Sequence, residues 1–265
     1  MSSIHHSAAA GFAVAVDAYQ RGRPGFPADA VAVLRDELDL RPGRTVVDVG
    51  AGTGKFTHEM VATGARVVAI EPVTAMREQL EVDVPDALAL DATAETTGLE
   101  TGSVDAVVAA QAMHWFDASA ALDEWVRILR EDGGIGLIWN VRDESVDWIA
   151  QLTRIMDVHA GDTPRYRDST WRPAFDDHPR LTPLEHRRFR NPQTLTPDRV
   201  VDRVMSVSFI AALDPVTRAQ VADEVRSLLR DHPDTRGHEQ VELSYVVDVY
   251  WTHLRPTESA APRVP

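Results

Sequence analysis

Apolar residues fall along this chain in two rhythms. Short runs rich in β-branched residues recur between stretches whose apolar positions repeat every three to four residues. From about residue 28 to residue 141 the two rhythms alternate, the pattern of a parallel sheet covered by helices on both faces. The spacing predicts a first helix over about 28–40, stopping before Arg41-Pro42-Gly43, and a buried strand over Thr45 to Val49 closed by glycines. A helix follows from about Gly54, with Phe56 and Met60 on one face and Gly64 as its stop. Ala65 to Ile70 reads as the second strand, and Thr74 as the cap of a short helix over Ala75 to about Leu80. Ala87 to Leu90 and Val104 to Ala110 are the third and fourth strands. Leu122, Trp125, Val126 and Leu129 share one stripe of a helix over about 119–130, which ends at Gly133-Gly134 before a fifth strand, Ile135 to Asn140.

After Asp143 the rhythm breaks. Prolines stand at 164, 173, 179, 183, 192 and 197, with arginines and aromatics between them. One helix is predicted near Pro197–Leu213 and another opening at Asp214-Pro215, a cap residue followed by proline in the first turn. Val241, Leu243, Tyr245, Val247, Val249 and Trp251 alternate with other residues, as in a half-buried strand, and Leu184 to Phe189 is a candidate neighbour for it. The expected organisation is a core over 1–143, a helical cap over 144–238, a final strand over 239–255 returning to the core sheet, and a disordered tail over 256–265.

Composition narrows the function classes. A chain of 265 residues suffices for one α/β domain with a cap. Its formal net charge of −14 repels polyanions, which disfavours nucleic acid and anionic membranes as partners. The absence of cysteine removes disulfides, thiolate metal sites and a cysteine nucleophile together. The apolar run Ala8 to Val16 has no Lys or Arg before it and is followed by Asp17 and Arg21, unlike an export signal. No run is long enough to span a bilayer, so a soluble cytoplasmic protein is expected. None of the 10 histidines, His5-His6 included, stands at ligand-like spacing with carboxylates, and no metal is expected.

Four stretches carry chemistry. Val46-Val47-Asp48-Val49-Gly50-Ala51-Gly52-Thr53-Gly54 is a strand running into a glycine loop, where the missing Cβ atoms allow a sharp turn and close approach of a ligand. A dinucleotide fingerprint would place its third glycine at position 55, which is Lys55. Glu71-Pro72 closes the second strand, where an acid binds a ribose diol in such folds. Asp91-Ala92 follows the third strand, and Gln111-Ala112-Met113-His114-Trp115 follows the fourth. Ligands of open α/β sheets sit outside these carboxyl ends.

In order and spacing these stretches resemble the class I S-adenosylmethionine-dependent methyltransferases, specifically the type 11 branch of trans-aconitate methyltransferase-like proteins, over roughly residues 12 to 141. Tyr19 to Pro27 also looks like the segment that precedes this domain in bacterial relatives. The resemblance implies an α/β, Rossmann-like, seven-stranded and mostly parallel sheet with helices on both faces and a helical cap inserted near the last strands. It implies S-adenosyl-L-methionine as cofactor, with Gly50, Ala51, Gly52, Thr53 and Gly54 around its methionine and ribose. Glu71 and Pro72 would meet the ribose, Asp91 and Ala92 the adenine, and Gln111 the methionine end. Met76 would pack on the adenine face or belong to the core. Tyr19 and Arg23 would close over the cofactor, Arg23 meeting its carboxylate, or simply begin the fold.

Methyl transfer to a small-molecule acceptor is mostly a matter of alignment. His114 is the candidate base, or else a histidine that fixes its loop alongside Trp115. Asn140 and Arg142 are expected to orient an acceptor carboxylate or carbonyl, or to be a polar pair at a strand end. Segments 12–27 and 144–238 are expected to cover the cofactor as lids, with Trp115, Asn140 and Arg142 on the floor, and loss of the second should leave cofactor binding intact. The arginines at 165, 167, 172, 187, 188 and 190, interleaved with Tyr166, Trp171, Phe175 and Phe189, read as a solvated cap, with a pocket for a small anionic acceptor as the second choice. A cofactor-sensing binding module and a nucleotide-cofactor oxidoreductase are the competing readings.

Overall fold

In the computed structural model, which describes residues 24–256, the runs of β-branched residues become the middle of one seven-stranded sheet. The strands are β1 (Thr45–Val49), β2 (Arg66–Ile70), β3 (Leu88–Leu90), β4 (Val104–Ala110), β5 (Leu129–Arg142), β6 (Glu185–Leu195) and β7 (Val241–His253), in the order β3-β2-β1-β4-β5-β7-β6. Strands β1 to β5 pair in parallel, and β7 lies antiparallel between β5 and β6. This is the expected Rossmann-like α/β class. The helices are α1 (Ala28–Glu37), α2 (Lys55–Val61), α3 (Thr74–Asp83), α4 (Ala118–Ile128), α5 (Asp147–Asp157), α6 (Arg172–Asp176), α7 (Pro197–Met205), α8 (Ser208–Ala211) and α9 (Pro215–Asp231). Tyr19, Arg23 and nearly all of the expected tail lie outside the described residues.

Three apolar clusters hold the layers. On one face, Val47, Val107, Leu137 and Trp139 pack under α4 together with Trp171 and Phe175. On the other, Val46, Val67, Ile138, Val247 and Trp251 pack under α1 and α2. A third cluster joins α5, α7 and α9 to Val241, Leu243 and Tyr245 at the start of β7. Because β7 runs antiparallel, its first residues stand at the carboxyl end of the parallel strands, and Tyr245 pairs with Arg142 there. The cap helices therefore sit at the edge where this fold binds ligands.

Several expectations change. Residues 144–238 are not one helical cap, since β6 lies inside them and pairs with β7 along its whole length. As an edge strand it tolerates Pro192 and carries exposed arginines, which discourage pairing with other chains. β7 is buried on both faces rather than half-buried, because it has a neighbour on each side and its polar residues find internal partners. Thr74 is the first residue of α3, not its cap; Val73 takes the cap position. The helix expected over Pro197–Leu213 breaks into α7 and α8 at Val207, whose backbone is extended. Asp214 does cap α9, accepting from the Val216 and Thr217 N–H groups. Trp171 and Phe175 belong to no lid: Trp171 stacks on Trp139 with ring centroids 5.0 Å apart, in the core beneath the sheet.

Candidate functional site

The three loop glycines all have positive φ, but for different reasons. A Cβ at Gly50 would lie 2.8 Å from Ala112 Cβ, and one at Gly54 would lie 2.9 Å from Leu80 Cγ and Val84 Cγ2. Those two glycines let the loop pack against its own protein. At Gly52, with φ +59°, a Cβ would meet nothing within 4 Å. It faces open space, as a ligand cradle requires.

Glu71 ties this loop to the second strand. Its buried carboxylate accepts from Gly52 N–H and from Val73 N–H, both at 2.8 Å. Burial pushes the carboxyl above its ordinary value, and the two N–H bonds work against that rise. Arg77 then reaches from the Glu71 carbonyl (2.8 Å) to Asp91 (3.1 Å), joining the ends of β2 and β3. Asp91 is exposed, Pro72 and Ala92 are half-buried, and Met76 is buried with Leu80 on the inner face of α3.

Next to the loop lies a cavity partly open to solvent, walled by Asp48, Gly50, Ala51, Gly52, Thr53, Lys55, Phe56, Ala110, Gln111, Asn140, Arg203, Pro24 and Phe26. Glu71, Pro72, Met76, Asp91 and Ala92 are not part of this wall. Gln111 enters with a left-handed backbone (φ +58°), a strained geometry for a non-glycine residue, and its amide donates to the Asn140 carbonyl at 3.1 Å. Asp48 was not picked out from the sequence. It is fully buried; Oδ2 accepts from Thr57 Oγ1 at 2.7 Å, while Oδ1 has no partner. Burial first, and the nearby Glu71 charge second, push its carboxyl up to about 7, against the Thr57 bond. The available signal was an acid inside an otherwise apolar strand, which is rarely placed there without use.

Asn140 lines the cavity with its side-chain amide already engaged. Its Oδ1 accepts from Asn191 Nδ2 at 2.7 Å and its Nδ2 donates to the Gly25 carbonyl at 3.2 Å, which Asn191 also reaches at 2.8 Å. The two asparagines, from β5 and β6, fasten the segment before α1 across the cavity. Phe26 completes the contact edge-on to Phe56, centroids 5.3 Å apart.

A second chamber, with about 540 Å³ of open space, adjoins the first and shares Asn140 and Arg203 with it. Arg142, Arg165 and Arg167, with Tyr166 and Tyr245, also line it, against one carboxylate, Glu144. Arg142 donates to Thr153 Oγ1 at 2.9 Å; burial draws it down to about 10, and the Arg203 charge adds to that. Arg165 and Arg167 are braced by Asp157. Tyr166 donates its hydroxyl to Asp248 at 2.9 Å, and burial and these bonds raise it above the ordinary tyrosine range. The remaining arginines of the interleaved set leave the site: Arg172 pairs with Asp176, Arg188 with Asp248, Arg187 with Glu37 and Arg190 with Glu242.

His114 and Trp115 lie in a one-turn helix, Met113–Trp115, with ring centroids 5.3 Å apart. The indole N–H of Trp139 donates to His114 Nδ1 at 3.3 Å. A neutral imidazole accepting at Nδ1 carries its proton on Nε2, so His114 could take a proton only by giving up the indole. That geometry favours a loop-holding histidine over a base, and neither His114 nor Trp115 lines the two cavities.

A more open groove between α5 and α9 is lined by exposed and half-buried side chains. Among the described residues no group of three His, Asp or Glu is placed to hold a metal ion, and no helix is long and apolar enough to cross a membrane.

Residues 47–137 match the methyltransferase domain. The chain is 38% identical over 235 residues to an uncharacterized methyltransferase of Mycobacterium tuberculosis, covering 89% of this chain and 92% of that protein. It is 28% identical over 241 residues to an uncharacterized methyltransferase-like protein of Schizosaccharomyces pombe, covering 91% and 94%. Its fold is similar to that of a solved type II methyltransferase candidate from Anaeromyxobacter dehalogenans, with a TM-score of 0.65, 24% identity, and coverage of 88% of this chain and 97% of that one.

Proposed function

The chain belongs to the methyltransferase family, and on that premise we propose that it moves a methyl group from S-adenosylmethionine to a small anionic acceptor in the arginine-lined chamber. S-adenosylmethionine is its donor, and the residues present fit that molecule. Gly52 leaves room where any side chain would intrude, and Asp48 Oδ1 is a buried acceptor awaiting a cationic donor such as the methionine ammonium. Gly50 to Gly54 and Gln111 take the methionine and ribose end. Glu71 keeps a lone pair on each oxygen for ribose hydroxyls, with Pro72 beside it. Asp91, Ala92 and the α3 face that carries Met76 border the adenine end.

The bound cofactor supplies an already activated methyl group. What remains for the chain is to hold an acceptor in line and to keep water out. The observation that carries the acceptor class is the charge of the second chamber: four arginines against Glu144 on its wall and Asp157 behind Arg165 and Arg167, in a chain of net charge −14. Two candidate bases at the chamber are already engaged. Its tyrosine Tyr166 donates to a carboxylate, and the nearby His114 holds an indole. An acceptor already ionised needs none. The test is transfer of a radiolabelled methyl group to a panel of small carboxylates and phosphates, set against their neutral amides and against amines. Label should enter the acids alone, and Arg142→Met should suppress it. Turnover confined to neutral or cationic acceptors would overturn the assignment.

A further inference from the structure

We infer that Arg203, carried by cap helix α7, binds the α-carboxylate of the methyl donor. This rests on the donor reading above. Three charged side chains line the first cavity: Asp48, Lys55 and Arg203. The amino-acid end of the donor is a zwitterion, and it needs one anionic and one cationic partner. Asp48 Oδ1, buried and without a hydrogen bond, supplies the acceptor for the ammonium.

Arg203 supplies the other half. Its Nε donates to Tyr245 Oη at 3.1 Å and Nη1 donates to Ser206 Oγ at 3.2 Å, both neutral oxygens. Among the described residues Arg203 makes no ion pair; it shares the chamber with Glu144 and three other arginines, and its charge and that of Arg142 oppose each other. Held by neutral groups, the guanidinium keeps its charge for an anion and presents planar paired donors that suit a carboxylate. It is also well placed to hold one. Val200, Val201 and Val204 bury α7 in the cap core, and the Tyr245 ring lies 5.9 Å from the guanidinium carbon. Arg142, Arg165 and Arg167 line only the acceptor chamber, whereas Arg203 also lines the cavity with Gly50 and Gln111. On this reading, the cap is part of the donor site, and its loss weakens cofactor binding instead of sparing it.

The test is calorimetry on the full chain with three ligands: S-adenosylhomocysteine, its decarboxylated analogue, and 5′-methylthioadenosine, which lacks the whole amino-acid end. The native protein should prefer S-adenosylhomocysteine to the decarboxylated analogue. Arg203→Gln should raise the Kd for S-adenosylhomocysteine by about 10- to 100-fold, the effect of losing a charge-assisted hydrogen bond, and erase that preference. The other two ligands should keep their Kd within about twofold, and Arg203→Lys should recover part of the loss. Equal weakening of all three ligands would mean a structural role and overturn the proposal. So would unchanged S-adenosylhomocysteine binding, which would leave Arg203 to the acceptor, or a carboxylate preference that Lys55→Gln abolishes and Arg203→Gln does not. Failure of the native protein to bind any of the three would instead overturn the donor reading itself.

Discussion

Replacing Asp48 with asparagine should stabilise the free protein above neutral pH while weakening its hold on the donor. The carboxyl is fully buried with one hydrogen bond, and its value stands at about 7 against 3.8 for an ordinary aspartate. A gap of roughly 3 units, at about 1.36 kcal/mol each, is worth about 4 kcal/mol. The folded value is the higher one, so the folded state holds the proton more tightly than the unfolded chain does. This contribution is fully present below about pH 4 and drains away as pH rises to about 7, where folding must accommodate a buried charge. Asparagine has no such charge. For a chain of this size 1 kcal/mol moves Tm by about 2–4 °C, so the native Tm should fall relative to Asp48→Asn by on the order of 10 °C between pH 4 and pH 8. Scanning calorimetry of both proteins at fixed ionic strength reads this difference. Asp105, held below its ordinary value despite its burial, first by the Thr45 N–H and then by arginines, and Glu124 and Asp248, held down chiefly by arginines, affect both curves alike and cancel. Asparagine would turn its Oδ1 to the Thr57 hydroxyl and its Nδ2 into the cavity, where a donor faces the ammonium. S-adenosylhomocysteine should therefore bind about 10- to 100-fold more weakly. Parallel Tm curves for the two proteins would refute the reasoning.

Gly52→Val should fold, at a cost of about 1–2 kcal/mol for a left-handed valine, and lose S-adenosylhomocysteine binding; calorimetry showing undiminished affinity in the folded variant would move the cradle elsewhere. Trp171→Ala should cost about 3–5 kcal/mol in denaturant melts, because the indole is buried against Trp139, yet leave cofactor affinity unchanged. A Trp171→Ala protein of native stability with impaired binding would restore it to a lid. Asn191→Ala removes one of two clasps on the Gly25 carbonyl, so hydrogen exchange near Phe26 should quicken and donor affinity should drop.

The middle of the sheet was readable because its strands are buried on both faces and so are written as apolar runs, each interrupted by a single acid, Asp48 or Asp105: β1 and β4 begin and end where the residues say they should. β6 escaped full recognition for the opposite reason. As an exposed edge it is studded with arginines, and only the distant β7 makes it a strand. In the site, the glycine loop, Glu71 and Gln111 were legible because local spacing sets them. Asn140 was singled out, but its amide partner was not legible, since Asn191 lies 51 positions later. His114 likewise takes its tautomer from Trp139 on another strand. Asp48 was visible throughout, but only its burial gives it chemical meaning.

The clasp on Gly25 also dictates when the donor cavity can exist. The carbonyl is caught by Asn191 across 166 positions of chain, and closing so long a loop costs about 4–5 kcal/mol of entropy. During synthesis the glycine loop and the first four strands leave the ribosome well before β6 does. Until β6 arrives and pairs with β7, the last strand of the sheet to be made, only Asn140 of β5 is there to hold the Gly25 carbonyl over the crevice. A ligand that fills the crevice acts after β6 is made, by holding shut a roof whose two halves stand 166 positions apart in the chain.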